Sequence, residues 1–340
     1  MSSQNDRTTD GDKARGDLTV YANSGLCNRL KVLLSGSAIA QTTGRRFAMR
    51  WVGHKMPGSF ERLFQNEWNV RSDAPLDKRR LIDLTNQPWR TFPDLTQSQD
   101  DWLMVQHCDW LIRPAFFPHH AALQAQCAAF MQELKPIPAL QERIDAFRDK
   151  NFRPRMIGVH LRRGDFHAFH PDVVNNLAAT METVDRWVDE ESDAGILLCT
   201  DDGAQNLFSH RKMPYEGVVE QFAQRYGERM VTPQARTLDR RQPEATEDAL
   251  IELWLLRATD RFVGTLGSSF SELVSFDCDM PSVMTATPTP EYASQLRRLK
   301  RIGLYGIYSR ASRYEYGRVV PYWLLLHRYR EHFRAPNPAS

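Results

Sequence analysis

Apolar positions along this chain recur with two periods, and the switch between them divides it into elements. Residues 17–21 form a short strand-like run around Leu18 and Val20. A turn follows at Asn23-Ser24-Gly25, and the apolar positions from Leu26 to Ala40 recur at helical spacing. Gly44 stops that helix and 47–52 resumes as a strand, giving a strand–helix–strand unit at the start of an α/β domain. From 57 to 118 the periodicity is poor, and only short strands and helices are expected there. Helices are predicted over 121–134 and 139–149. The polar, charged, Pro-containing stretch Asn151-Phe152-Arg153-Pro154-Arg155 marks a domain boundary.

Beyond that boundary the alternation is clean. Strands are predicted at 156–161, 195–200, 229–231, 261–264 and 282–284, with helices at 173–189, 204–210, 246–259 and 270–276. Strands alternating with helices at this spacing form a parallel sheet. The expected organisation is a disordered tail (1–16), an N-terminal α/β domain (17–150), a C-terminal α/β domain (151–285) and a basic helical segment (286–340).

Composition narrows the class without choosing a function. The 340 residues are 41% hydrophobic and 25% charged, with 44 basic and 42 acidic side chains and a net charge of +2. This is globular composition, and nothing global points to nucleic acid. The apolar cluster Trp323-Leu324-Leu325-Leu326 is far short of the ~20 residues a spanning helix needs. The polar N-terminus has no apolar core of a signal peptide. Five scattered cysteines without a C-x-x-C pair argue against a disulfide framework or zinc ribbon, and a cytoplasmic location is expected.

Ligands of open parallel sheets bind beyond the carboxyl ends of the strands. There the second domain places His160-Leu161-Arg162-Arg163-Gly164-Asp165, then Thr200-Asp201-Asp202, then Gly264-Thr265-Leu266-Gly267-Ser268-Ser269 opening a helix. Arginine forks match phosphate oxygens two at a time, and a Gly-Ser-Ser turn at a helix start aims N–H groups and hydroxyls at an anion. The set suits a diphosphate. No P-loop sequence occurs, and Gly267-Ser268-Ser269-Phe270-Ser271 lacks the second glycine of a nucleophile elbow. Taken singly, paired arginines are usually solvated surface, and Asp201-Asp202 and Ser268-Ser269 are usually turns and caps. Their joint placement on one sheet edge is the signal.

In the same order, His160-x-Arg162-Arg163-x-Asp165 with Phe169-His170-Pro171, Cys199-Thr200-Asp201-Asp202, Asp248 to Leu256 and Gly267-Ser268-Ser269-Phe270-Ser271-Glu272 resemble the three C-terminal motifs of the α1,6-fucosyltransferase superfamily. That superfamily includes nodulation-factor fucosyltransferases and, more distantly, protein O-fucosyltransferases. Ser24-Gly25-Leu26-Cys27-Asn28-Arg29-Leu30 with Thr43-Gly44-Arg45-Arg46 is similar to its opening turn and helix. The resemblance spans about 18–285 and is vague over 57–150.

The resemblance implies a GT-B architecture, two α/β open-sheet lobes facing a cleft, with the C-terminal segment crossing back to the first lobe. It implies a glycosyltransferase that moves fucose from GDP-fucose to a glycan hydroxyl with inversion, using no metal and no cofactor. Arg163 or Arg162 would hold the β-phosphate, and Asp165 would orient the arginines. His160 and Glu252 would contact the guanosine. Ser268, Ser269 and Phe270 would line the diphosphate, Asp201 and Asp202 would border the nucleotide pocket, and Gly25, Asn28 and Arg29 would meet the donor from the first lobe. Glu252 stands where the family usually has Asp. Phe166 stands where some relatives have Lys, which leaves Asp165, His167 and His170 as candidate bases, with unassisted hydroxyl attack on a developing oxocarbenium as the alternative. The alternatives are a GT-B transferase using another nucleotide-sugar and a non-catalytic GDP- or glycan-binding module.

Other conspicuous residues have plainer readings. Core packing is preferred over sugar stacking for Trp51, Trp68, Trp89, Trp102 and Trp110. His107 and His119-His120 lack metal-ligand spacing with any acid cluster. The segment 297–334, rich in Lys and Arg interleaved with Tyr305, Tyr308, Tyr314, Tyr316 and Tyr322, could rest on anionic lipid or meet an anionic acceptor. A solvated helix face is the preferred reading.

Overall fold

The computed structural model describes residues 15–53, 57–72, 81–83, 102–105, 110–111, 120–163, 173–174, 177–202, 217–285 and 287–288. By contacts, these divide into two units. One holds the described residues of 15–24, 28–52 and 66–134; the other holds those of 25–27, 53–65 and 135–288.

The first unit is built on β1 (Arg15–Ala22), α1 (Leu26–Thr42), β2 (Arg45–Trp51), β3 (Val70–Arg71), β4 (Leu81–Asp83), β5 (Trp102–Val105) and α2 (His120–Glu133). Its sheet runs β3-β2-β1-β5-β4, all parallel. β1 starts at Arg15, so the end of the expected tail is strand. Arg15 pairs with Arg45, the register slips before Asp17, and Asp17 Oδ1 then accepts from Arg46 Nε at 2.7 Å. The rest of the tail lies outside the described residues, as does 289–340. Leu18, Val20, Leu30, Leu33, Leu34, Met49 and Trp51 are fully buried and form the core.

The second unit contains α3 (Pro138–Asn151), β6 (Met156–Leu161), β7 (Val173–Val174), α4 (Leu177–Glu190), β8 (Gly195–Thr200), α5 (Val218–Tyr226), β9 (Met230–Val231), α6 (Pro243–Arg257), β10 (Arg261–Thr265), α7 (Ser269–Val274), β11 (Ser282–Thr285) and β12 (Thr287–Pro288). Pro138 and Pro243 open their helices at a position where no N–H is needed. α3 packs on α6, with Leu140 and Ile144 buried and Arg143 Nη2 donating to Asp248 Oδ1 at 2.9 Å. The contact division therefore precedes α3, and Asn151–Arg155 lies inside the second unit. The helix expected from 173 begins at Leu177. The β-branched pair Val173-Val174 instead runs antiparallel to Thr287-Pro288. The helix expected at 204–210 lies outside the described residues, and α5 was not expected.

The second sheet runs β11-β10-β6-β8-β9, all parallel, so the chain steps outward from β6 through β8 to β9 and then returns to β10 on the other side. Register gives each face its residues. Ile157, Val159, Leu161, Ile196, Leu198 and Val263 pack with Val184 and Trp187 of α4 and Val218, Phe222 and Tyr226 of α5 into one apolar core. Gly158, His160, Cys199, Phe262 and Gly264 share the opposite face, against α6 and α7. Among the described residues no helix is long and apolar enough to cross a membrane. Cys27, Cys127, Cys199 and Cys278 are free thiols, the first three buried.

Candidate functional site

The strand order reverses at β6, and open α/β sheets bind ligands beyond the strand ends at such a point. Two of the sequence-predicted clusters meet there. His160 sits on β6 beside Gly264 of β10 and Cys199 of β8. Its ring stacks on Phe270, with centroids 4.5 Å apart and planes at 21°. Its Nδ1 lies 2.7 Å from Ser271 Oγ, and that oxygen accepts from the Thr265 backbone N–H at 2.9 Å. Burial, aided by the Arg162 charge, holds the imidazole pKa down to about 3, so the ring is neutral at neutral pH.

Close approach of α7 to the sheet depends on Gly264. A Cβ there would lie 2.7 Å from Ser271 Cβ and 2.8 Å from Met284 Sδ. The turn into α7 uses Gly267 at φ 84°, a conformation that favours glycine, and Ser268 Oγ caps the helix by accepting from the Ser271 N–H. Ser269 opens the helix, half-buried like Phe270.

The arginines converge on Asp201, just past β8. Arg162 Nη1 pairs with Asp201 Oδ2, and the Arg163 backbone N–H donates to Oδ1 at 2.5 Å. The Arg162 N–H donates to Thr265 Oγ1 at 2.9 Å, tying the end of β6 to β10. Arg163 is buried, at 3% exposure. Sequence reasoning missed Arg240, which brings Nη2 to 2.5 Å from the same Asp201 oxygen. A signal was present: Arg240-Arg241 is a second arginine pair, just before the Pro-led α6. Asp202 serves the fold, its Oδ2 accepting from the Val218 N–H at the start of α5.

Glu252, on α6, is half-buried, and its enclosure, with the Asp248 charge one turn earlier, pushes its pKa up to about 8. Its charge acts on the buried Cys199 thiol, which burial chiefly raises, so Glu252 belongs to the His160 face of the sheet. Nearby, Asp248 accepts from Arg143, the Arg236 N–H and Arg236 Nε, while Glu247 accepts from Arg62 and Arg236. Asp165, His167 and His170 lie outside the described residues.

The remaining predicted contacts stand at the start of α1. Gly25 directly precedes it, and Asn28 is half-buried, with Oδ1 buried and lacking a hydrogen-bond partner among the described residues. Arg29 is fully buried, its guanidinium 4.5 Å over the Trp51 ring. Trp51 and Trp110 are core residues, and Trp68 packs edge-on to Phe130 at 5.7 Å.

No family model and no curated protein matches the sequence. Solved structures match its fold. NodZ α1,6-fucosyltransferase soaked with GDP-fucose superposes with a TM-score of 0.53 at 17% identity, over 82% of this chain and 100% of that one. This chain has the fold of a fucosyltransferase. The same enzyme co-crystallised with GDP gives 0.51 at 18% identity, covering 78% of this chain and 93% of NodZ. A variant of Arabidopsis thaliana FUT1 in complex with GDP gives 0.51 at 14% identity, covering 81% of this chain and 71% of that one. The α/β architecture with two parallel sheets agrees with the GT-B expectation.

Proposed function

We propose that the protein is a glycosyltransferase that moves fucose from GDP-fucose to a glycan hydroxyl, with inversion and without a metal ion. The observation that carries this reading is the convergence of Arg162, Arg163 and Asp201 at the switch point of the second sheet, beside His160, Phe270 and Ser271, in a chain that shares its fold with GDP-bound fucosyltransferases.

The chemistry follows from charge. Breaking the sugar–phosphate bond builds negative charge on the departing diphosphate. Donors fixed in advance at that charge are worth several kcal/mol in the transition state, about 2.7–4 for one well-placed group. Arg162 and Arg163 take the role that a divalent cation plays in other transferases, as planar permanent cations. Neutral His160 and Glu252 face the nucleoside, and Ser268, Ser269 and Phe270 border the diphosphate. Asp165 orients the arginines in this reading.

The test is calorimetric and then chemical. GDP binds in excess EDTA, and UDP binds far more weakly. An acceptor array incubated with GDP-fucose and EDTA then gains the mass of one deoxyhexose on one class of glycan. Preference for UDP would turn the reading to another nucleotide-sugar. GDP binding with no turnover on any acceptor would make the chain a binding module. Activity lost to chelator and restored by magnesium or manganese would overturn the metal-free arrangement.

A further inference from the structure

The segment 232–242, between β9 and α6, is fastened at two points. Arg236 ties it to α6 through its backbone N–H and Nε on Asp248 (2.7 and 2.9 Å) and its Nη2 on Glu247 (2.8 Å). Four residues later, Arg240 reaches back to Asp201 at the end of β8. Between them, Asp239 accepts from the Arg241 N–H and guanidinium, and Leu238 is 43% exposed. The second fastening places two guanidinium groups on one carboxylate oxygen, since Arg162 pairs with the same Asp201 Oδ2.

That arrangement is a poor device for stability. Charges drawn out of water recover their desolvation cost only with excellent geometry, and like charges brought together repel. Yet the cluster is not sealed: the side chains of Arg162, Arg240 and Asp201 keep 20%, 14% and 16% of their surface. The cluster therefore holds two rigid forks side by side at a surface, where a ligand with several anionic oxygens can meet both.

We propose that Arg240 is a further diphosphate-binding arginine of this site, and that Asp201 is the positioning residue that sets Arg240 and Arg162 side by side. This rests on the GDP-sugar reading for the identity of the ligand, but the anion site itself does not. Asp201 orients by accepting from both side chains and from the Arg163 N–H, so one carboxylate links the segments after β6, β8 and β9.

The experiment compares wild type, Arg240→Gln, Arg240→Lys and Asp201→Asn by calorimetry with GDP, guanosine and inorganic pyrophosphate, each protein checked by thermal melting. Arg240→Gln should lose about 10- to 100-fold in affinity for GDP and pyrophosphate, the scale of a charge-assisted contact, while guanosine binding is unchanged. Arg240→Lys should fall between it and wild type. Asp201→Asn separates positioning from bulk charge: removing a negative charge beside a polyanion should tighten GDP binding if only net charge matters, and should weaken it if Asp201 aims the arginines. Tighter binding in Asp201→Asn, or unchanged GDP affinity in a folded Arg240→Gln, overturns the proposal. If Arg240→Gln does not fold, Arg240→Lys and Asp201→Asn decide. Wild type that binds pyrophosphate through Arg240 but shows no preference for GDP would sink the nucleotide reading and leave the arginine site standing. Wild type that binds neither would sink both.

Discussion

His160 Nδ1 and Ser271 Oγ lie 2.7 Å apart, joining the central strand β6 to the first turns of α7. Because Ser271 Oγ also accepts the Thr265 N–H, one hydroxyl fixes the imidazole, the end of β10 and the helix together. Ser271→Ala removes that group and leaves a buried ring nitrogen and a buried backbone donor without it. A loss of about 1–3 kcal/mol in urea unfolding is expected. On the proposed reading, in which His160 faces the nucleoside, GDP affinity should fall in parallel. Unfolding midpoints and GDP titrations that match wild type would remove Ser271 from the site's support.

Gly264→Ala tests the packing that brings α7 to the sheet. The added Cβ meets Ser271 Cβ at 2.7 Å, Met284 Sδ at 2.8 Å and the Phe262 ring at 2.8 Å, so neighbours on three elements must shift. Overpacking of this kind costs about 1–3 kcal/mol. The melting temperature should drop, and GDP binding should weaken as Phe270 and Ser271 are displaced. Gly44→Ala is the control, because a methyl there meets no atom within 4 Å but the backbone stands at φ 65°. Any loss in that variant reflects backbone strain and leaves nucleotide affinity intact.

Stability should have a maximum set by two enclosed groups of opposite kind. His160 ordinarily titrates near 6.5 but near 3 in the folded chain. The unfolded state therefore binds more protons between those values, and stability is lost as pH falls through that window. Glu252 ordinarily titrates near 4.5 but near 8 when folded. The folded state there holds the extra proton, so stability is lost as pH rises from about 4.5 toward 8. Glu252→Gln should flatten the alkaline limb of a denaturation–pH profile and leave the acid limb in place. If Glu252 also accepts from the guanine N–H groups, GDP should release protons on binding near pH 7, visible as a heat that depends on buffer ionisation.

Arg163→Lys keeps the charge and loses the fork. On the proposed mechanism the contact tightens as the sugar departs, so turnover with GDP-fucose should fall about 10²–10³-fold while GDP binding weakens modestly. Near-wild-type turnover on a confirmed acceptor would assign the leaving-group contact to Arg162 instead.

The second sheet was legible because its strands are apolar runs bounded by Gly, Pro and Asp, and because β6, buried along its whole length, has no polar face to obscure the period. Its sheet-edge chemistry was legible for the same reason: strand ends can be counted. Arg240 escaped because it does not directly follow a strand, lying well past the end of β9, and because its partner is 39 residues away. The helix α5 escaped for a local reason. It is nine residues long, and the residue before it, Gly217, stands in a left-handed conformation. In the first unit β3, β4 and β5 span two to four residues each, too short for a period to register.

Gly158 carries a consequence for how such a site can change. A side chain there would strike Thr259 Oγ1 at 2.6 Å and Leu256 at 3.1 Å, as one at Gly264 would strike Ser271. The floor of the sheet beneath α6 and α7 is therefore bare backbone at two points, and this lets both helices sit close against it. Nothing can be added to that floor without lifting a helix. Change that leaves the helices seated falls instead beyond the strand ends, where the side chains of Arg162, Asp201 and Arg240 keep 20%, 16% and 14% of their surface.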